Sequence, residues 1–143
     1  MKKVLILKLF TIFFSLILIN FYSCREDIIP PNSPVTSTNQ PVTSNFLNYY
    51  SFTINAKNAS YVVVDHPDFN YGSTRVFYTV NGHSEGSVIL ILRDKQNNVQ
   101  YQQVINSNNE GNSSSLQGVI PDVVELDFYN FTGTLQIQIY RYI

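Results

Sequence analysis

The sequence predicts an all-β fold, a single β-sandwich of seven or eight strands, and three observations carry that expectation. Apolar residues recur at every second position, most clearly where Leu135, Ile137 and Ile139 alternate with Gln136, Gln138 and Tyr140, the period of a half-buried strand. Beyond the first 45 residues, no stretch keeps apolar residues at helical spacing for more than a turn. Polarity comes from Asn, Gln, Ser and Thr: charged residues make up 13% of the chain, against roughly 25% in average soluble domains. Exposed helices usually carry Glu, Lys and Arg for propensity and pairing.

In chain order, the first element is a leader. Lys2 and Lys3 precede an apolar stretch over residues 4–19, broken by Lys8, Thr11 and Ser15, and then come Asn20, Phe21, Tyr22 and Ser23. These are the charged, apolar and cleavage regions of a secretory signal, residues 1–23. Its apolar centre, residues 9–19, is too short for a bilayer span of about 20 residues. With Cys24 as the single cysteine, an intramolecular disulfide and a thiolate metal cluster are both excluded.

Ser23-Cys24 resembles the core of the bacterial lipoprotein signal, in which a small residue precedes a cysteine that receives diacylglycerol and becomes the new N-terminus. Phe21 and Tyr22 depart from the usual Leu and small residue of that signal, and the relaxed form is similar to that of Bacteroidota lipoproteins. Arg25-Glu26-Asp27 resembles a short surface-export signal of the same group. The resemblance implies lipidation at Cys24 and a place in the cell envelope, on the outer membrane, facing periplasm or surface. Several acyl chains on one terminus would give a stable anchor. The competing reading of Cys24 is a free thiol at a processed end, or a buried residue of an uncleaved anchor.

Residues 24–45 form the lipidated terminus and a linker. Pro30, Pro31, Pro34 and Pro41 lie among Ser, Thr and Asn without apolar periodicity, which predicts a disordered, extended tether. At roughly 3.1 Å per residue, residues 28–45 would reach at most about 55 Å.

The β domain is expected over residues 46–143. Phe46, Tyr50, Phe52 and Ile54 fall on one face of a first strand, and residues 61–64 and 76–80 are β-branched and aromatic runs. Residues 87–92, SVILIL, read as a central strand covered on both faces. A turn over 95–98 leads to a strand over 99–105. Residues 106–115 are polar, lack an apolar anchor, and read as a mobile loop. Val124, Leu126 and Phe128 alternate with Glu125, Asp127 and Tyr129, and Phe131-Thr132-Gly133 reads as the turn of a hairpin joining this strand to the last. The spacing suits an immunoglobulin-like or jelly-roll-like sandwich. The closing Gly133–Ile139 stretch also resembles those of small secreted β-sandwich and jelly-roll domains, a likeness that implies architecture and no activity.

Charge excludes one class of partner. Removing the leader takes Lys2, Lys3 and Lys8, leaving six basic residues against ten acidic. No basic patch remains for nucleic acid.

Three groupings bear on chemistry. Gly82-His83-Ser84-Glu85-Gly86 matches the G-x-S-x-G pattern of serine hydrolases, which requires a strand-to-helix turn and a later acid and histidine. Here His66 and His83 both precede Ser84 and a strand follows Gly86, so the pattern reads as a glycine-rich hairpin loop with Asn81-Gly82 at its turn. Asp65, His66, Asp68, Phe69 and Tyr71 form a possible ligand-binding loop within residues 65–72. Its oxygens suit calcium, but Asp, Asn, Pro and Gly are also ordinary turn residues, and no metal or cofactor is expected. Phe69 and Tyr71, with Tyr129 and Tyr140, suggest an aromatic platform for sugars or a protein, set against the β-propensity that selects tyrosine in strands anyway. Three N-x-S/T sequons begin at Asn58, Asn112 and Asn130 and would be idle in a bacterial lipoprotein.

The expected function is a non-enzymatic binding or interaction module, membrane-held through lipid on Cys24, with a glycan or an envelope protein as ligand. The alternatives are a structural or accessory part of an envelope assembly and, remotely, a small hydrolase using Ser84.

Overall fold

Alternation of apolar and polar side chains gives seven antiparallel strands: β1 (Val42–Phe46), β2 (Tyr49–Ala59), β3 (Val62–Asp65), β4 (Ser73–Arg93), β5 (Val99–Ile105), β6 (Asn109–Gln117) and β7 (Val123–Arg141). The computed structural model describes residues 37–142. The leader, Cys24 and the proline-rich segment as far as residue 36 lie outside the described residues.

β4 and β7 are long because each passes through both layers of the sandwich. Residues 74–81 of β4 pair with 134–141 of β7, and residues 87–93 pair with 123–129. The five-stranded layer thus runs β1, β2, late β7, early β4, β6, and the four-stranded layer runs β3, early β7, late β4, β5. Between them the register shifts at Asn81, Glu85 and Ser87, where Gly82 and Gly86 have φ of 63° and 76° and Asn130 has 48°. Glycine and asparagine are the residues that enter this left-handed region most readily. In β7, exposed Tyr129 and Asn130 separate buried Phe128 and Phe131, so the alternation changes phase and both halves keep their apolar side facing inward.

The two inner faces meet in one core. Tyr50, Phe52, Ile54, Leu135, Ile137 and Ile139 come from the five-stranded layer, and Val88, Leu90, Leu92 and Leu126 from the other. Phe52 meets Phe128 across the layers with ring centroids 6.1 Å apart, and Phe128 meets Phe131 edge-on at 6.0 Å. Burying each such side chain fully contributes about 1.5–3 kcal/mol. Two hydroxyls also bridge the layers: Tyr50 Oη donates to Asp65 Oδ2 at 2.6 Å and Tyr101 Oη donates to Ser114 Oγ at 3.2 Å.

The chain enters through a polar clip. Asn39, with φ 60°, donates its backbone N–H to Asn55 O at 2.8 Å. Its side chain exchanges two hydrogen bonds with the Lys57 backbone, Nδ2 to Lys57 O at 2.9 Å and Lys57 N to Oδ1 at 2.7 Å. The neighbouring Thr38 forms a parallel bridge with Asn55.

The all-β sandwich follows the sequence pattern, with residues 87–92 central between β5 and β7 and residues 95–98 at the β4–β5 turn. Asp94 holds that turn by accepting from Asn98 and Gln96 backbone N–H groups, and these bonds, the one to Asn98 first, hold its carboxyl below the ordinary value.

Five details differ. Val42–Phe46 is a strand of the domain and not tether, since β1 pairs with β2. Phe46 therefore lies across a turn from Tyr50 and is 60% exposed. Residues 131–133 are no hairpin turn, because Phe131 is fully buried and β7 continues through them. Asn81 to Gly86 is likewise the corner of β4 and not a hairpin loop. Finally, Asn109–Gln117 is edge strand β6, paired with early β4. Its backbone supplies the pairing and its serines and asparagines lie at an edge, so no apolar signal marks it.

Candidate binding face

The loop after β3 is held by bonds from Asp65, His66, the Asp68 backbone and Asn70. Asp65 Oδ2 accepts the Tyr50 hydroxyl; burial first, then this bond and the Asp65 charge, push the Tyr50 phenol far above its ordinary value. His66 O accepts Asn45 Nδ2 and His66 Nδ1 lies 3.2 Å from Asp122 O. Asp68 N donates to Asn45 Oδ1, and Asp68 O accepts from Asn48 N at 2.7 Å. Asn48 and Asn70 complete the set through two further bonds. Two asparagines of the β1–β2 hairpin thus pin the whole loop. Among the described residues, no three His, Cys, Asp or Glu side chains gather in a metal-holding group.

The aromatic pair expected in that loop is divided. Phe69 is 8% exposed and belongs to the core cluster, which removes it from any exposed platform. Tyr71 is exposed, with the Arg141 guanidinium 3.7 Å from its ring centroid. Tyr129 lies on the early half of β7 and Tyr140 on the late half, in different layers.

Ser84 is exposed at the β4 corner. Its neighbour His83 packs its ring against Phe131 at 5.6 Å and sets Nε2 3.0 Å from Gly86 O. The backbone then continues as a strand, so no nucleophile elbow forms.

A different constellation appears on the outer face of the five-stranded layer. In β2, Tyr49, Ser51 and Thr53 alternate with the fully buried Tyr50, Phe52 and Ile54, and so point outward. Register sets Phe46 opposite Tyr49, Tyr49 opposite Tyr140, and Tyr140 opposite Arg75. Side chains directly opposite across a ladder share a face. Phe46 and Tyr49 accordingly meet with centroids 6.4 Å apart. At the other end, Arg75 lies over the Tyr142 ring at 3.9 Å and donates from Nε to Ser115 Oγ at 3.2 Å. Phe46, Tyr49, Tyr140 and Arg75 therefore form one row across four adjacent strands, and Tyr142, two residues beyond Tyr140, stacks on its Arg75 end from the side.

Beside this row the same face is neutral, mostly hydroxyl and amide, with Phe77 and the exposed Val42, opposite Thr53, as its apolar members. Ser44, Ser51, Gln138 and Phe77 follow one another in the next register position, and Thr53, Gln136 and Thr79 in the one beyond. Of the expected platform residues only Tyr140 belongs to this face. The row is invisible in sequence order, since its members lie on separate strands brought together by register.

No family model matches the sequence, and no curated protein matches it. Among solved structures, a chain from Bacillus endospore appendages, which form disulfide-linked pili, is 14% identical with a TM-score of 0.42. The match covers 78% of this chain and 99% of that one. At this level of similarity it assigns this chain no ligand and no partner.

Proposed function

We propose that the chain is an envelope protein, lipid-anchored through Cys24, that displays its β-sandwich as a non-enzymatic binding module. The observation that carries the binding role is the row Phe46–Tyr49–Tyr140–Arg75 on the outer face of the five-stranded layer, with Tyr142 stacked on Arg75. Phe46 is 60% exposed and Tyr142 39%, and aromatic and arginine side chains are those enriched where surfaces bind. Packing the loop after β3 with structural bonds leaves this face as the better ligand surface. The anchor rests on Ser23-Cys24 and the leader before it.

Two measurements test the reading. Metabolic labelling with an alkynyl fatty acid is expected to mark the wild-type chain and not Cys24→Ser; equal labelling of both overturns the anchor. Retention of the full-length protein by isolated envelope and extracellular-polymer fractions is expected to fall in Tyr49→Ala with Tyr140→Ala. Equal retention of wild type and double variant overturns the role of this face.

A second reading, an accessory part of an envelope assembly, is favoured by β3. This four-residue strand leaves the Val62 and Val64 side chains 59% and 52% exposed, apolar area that another chain could cover. Light scattering of the purified protein separates the readings, since strict monomers at all concentrations count against assembly through copies of this surface.

A further inference from the structure

We infer that the outer face of the five-stranded layer takes a neutral, extended saccharide chain that lies across the strands along the aromatic row. The inference rests on the proposal that this face binds a ligand, and it names the ligand's chemistry.

The geometry of the row comes first. Adjacent strands are about 4.8 Å apart, so the side chains of Phe46, Tyr49, Tyr140 and Arg75 spring from regular intervals along a line perpendicular to the strands. A chain of sugar rings presents apolar C–H faces at a similarly regular repeat. Tyrosine offers such a face together with a polar tip. Compact or branched ligands would leave part of the row uncovered.

The flanking rows supply the matching hydrogen-bonding groups. Ser51, Thr53, Gln138 and Thr79 offer both donors and acceptors, and sugar hydroxyls need both. No charged residue stands among them. Arg75 is the one cation of the row, and it is already engaged by Tyr142 and Ser115. A polyanionic glycan would call for several free cations. The acidic pair Glu125 and Asp127 sits on the other layer, on early β7. Aromatic and arginine side chains also suit a protein partner; the hydroxyl and amide side chains beside the row are what favour a saccharide, whose rings need a donor and an acceptor next to each apolar face.

Arg75 and Tyr142 also order one end of the row. Their stack is formed without ligand, so less side-chain freedom is lost there on binding. The opposite end, Phe46 on edge strand β1, is the most exposed member.

The test uses the full-length chain in a non-glycosidic detergent, titrated with neutral hexasaccharides of glucose, mannose or xylose and with an anionic galacturonate oligomer. Binding is read by isothermal titration calorimetry, and the row is assigned by its variants, since only Tyr49, Tyr140 and Tyr142 of the ten tyrosines lie in it or against it. Saturable binding of at least one neutral oligosaccharide is expected, weakened about tenfold by Tyr140→Ala or Tyr49→Ala and unchanged by Val62→Ser on the other layer. Phe46→Ser, at an exposed edge position, serves where a tyrosine variant fails to fold. Preference for the anionic oligomer, or neutral binding that ignores all three row variants, overturns the inference. If no neutral saccharide binds while envelope retention still depends on the row, the ligand assignment falls and the binding-module reading stands. If retention is also independent of the row, both fall.

Discussion

Tyr50 shows how one side chain can join two layers. Its ring is buried in the five-stranded layer while its hydroxyl donates to Asp65 at the end of β3, and the burial raises its pKa above the ordinary 10.0. Tyr61 and Tyr101 are shifted in the same direction, by burial. Above pH 10 the unfolded phenol releases its proton while the folded one keeps it, so the unfolded state binds fewer protons and stability falls as pH rises. Below pH 10 this contribution is constant. We expect Tyr50→Phe to lower stability at pH 7 by about 1–2 kcal/mol, through the lost charge-assisted bond. The same change should reduce the alkaline slope by about 1.4 kcal/mol per pH unit. Urea unfolding at pH 7, 10 and 11 measures both, and an unchanged slope would show that the phenol is not held protonated by the fold.

At the scale of elements, the corner shared by β4 and β7 decides the architecture. A Cβ on Gly86 would run into the carbonyl oxygens of Tyr129 and Asn130, whereas Gly82 faces open space. Both have positive φ, so Ala at position 82 should cost about 1 kcal/mol from backbone strain alone. Gly86→Ala should cost about 3 kcal/mol or more, since the backbone itself must move. Denaturant midpoints of the two variants compare them, and equal losses would mean that the corner is not held by close strand approach. These glycines also explain what the sequence conceals. Alternation at Leu135, Ile137 and Ile139 is legible because one face is buried, but a glycine break inside a continuous strand looks the same as a hairpin turn. Edge strand β6 escapes notice because Ser113 and Ser115 need no apolar partner to pair through their backbone. The aromatic row is hidden for a third reason: Tyr49 and Tyr140 become neighbours only through register, which no local pattern encodes.

For the whole molecule, most pairing joins segments distant in sequence, with β2, β3 and β4 all laid against β7 and β6 against β4, and only β1–β2 and β4–β5 are local hairpins. The core therefore cannot close before the last strand arrives. Folds dominated by such pairings refold in milliseconds to seconds, and we expect stopped-flow refolding of this chain to fall in that range. Complete recovery of the native tyrosine signal within the instrument dead time would contradict it. The Asn39 clip has a consequence of another kind. Any tension applied through residues before it reaches the β2 backbone at Asn55 and Lys57 before it reaches β1, so the clip must give way before the edge strand can be peeled from its neighbour. With Phe46 and Tyr49 on the two strands it guards, Asn39 acts as a strain relief: a pull on the chain is taken up beside the sheet, and the row keeps its shape under load.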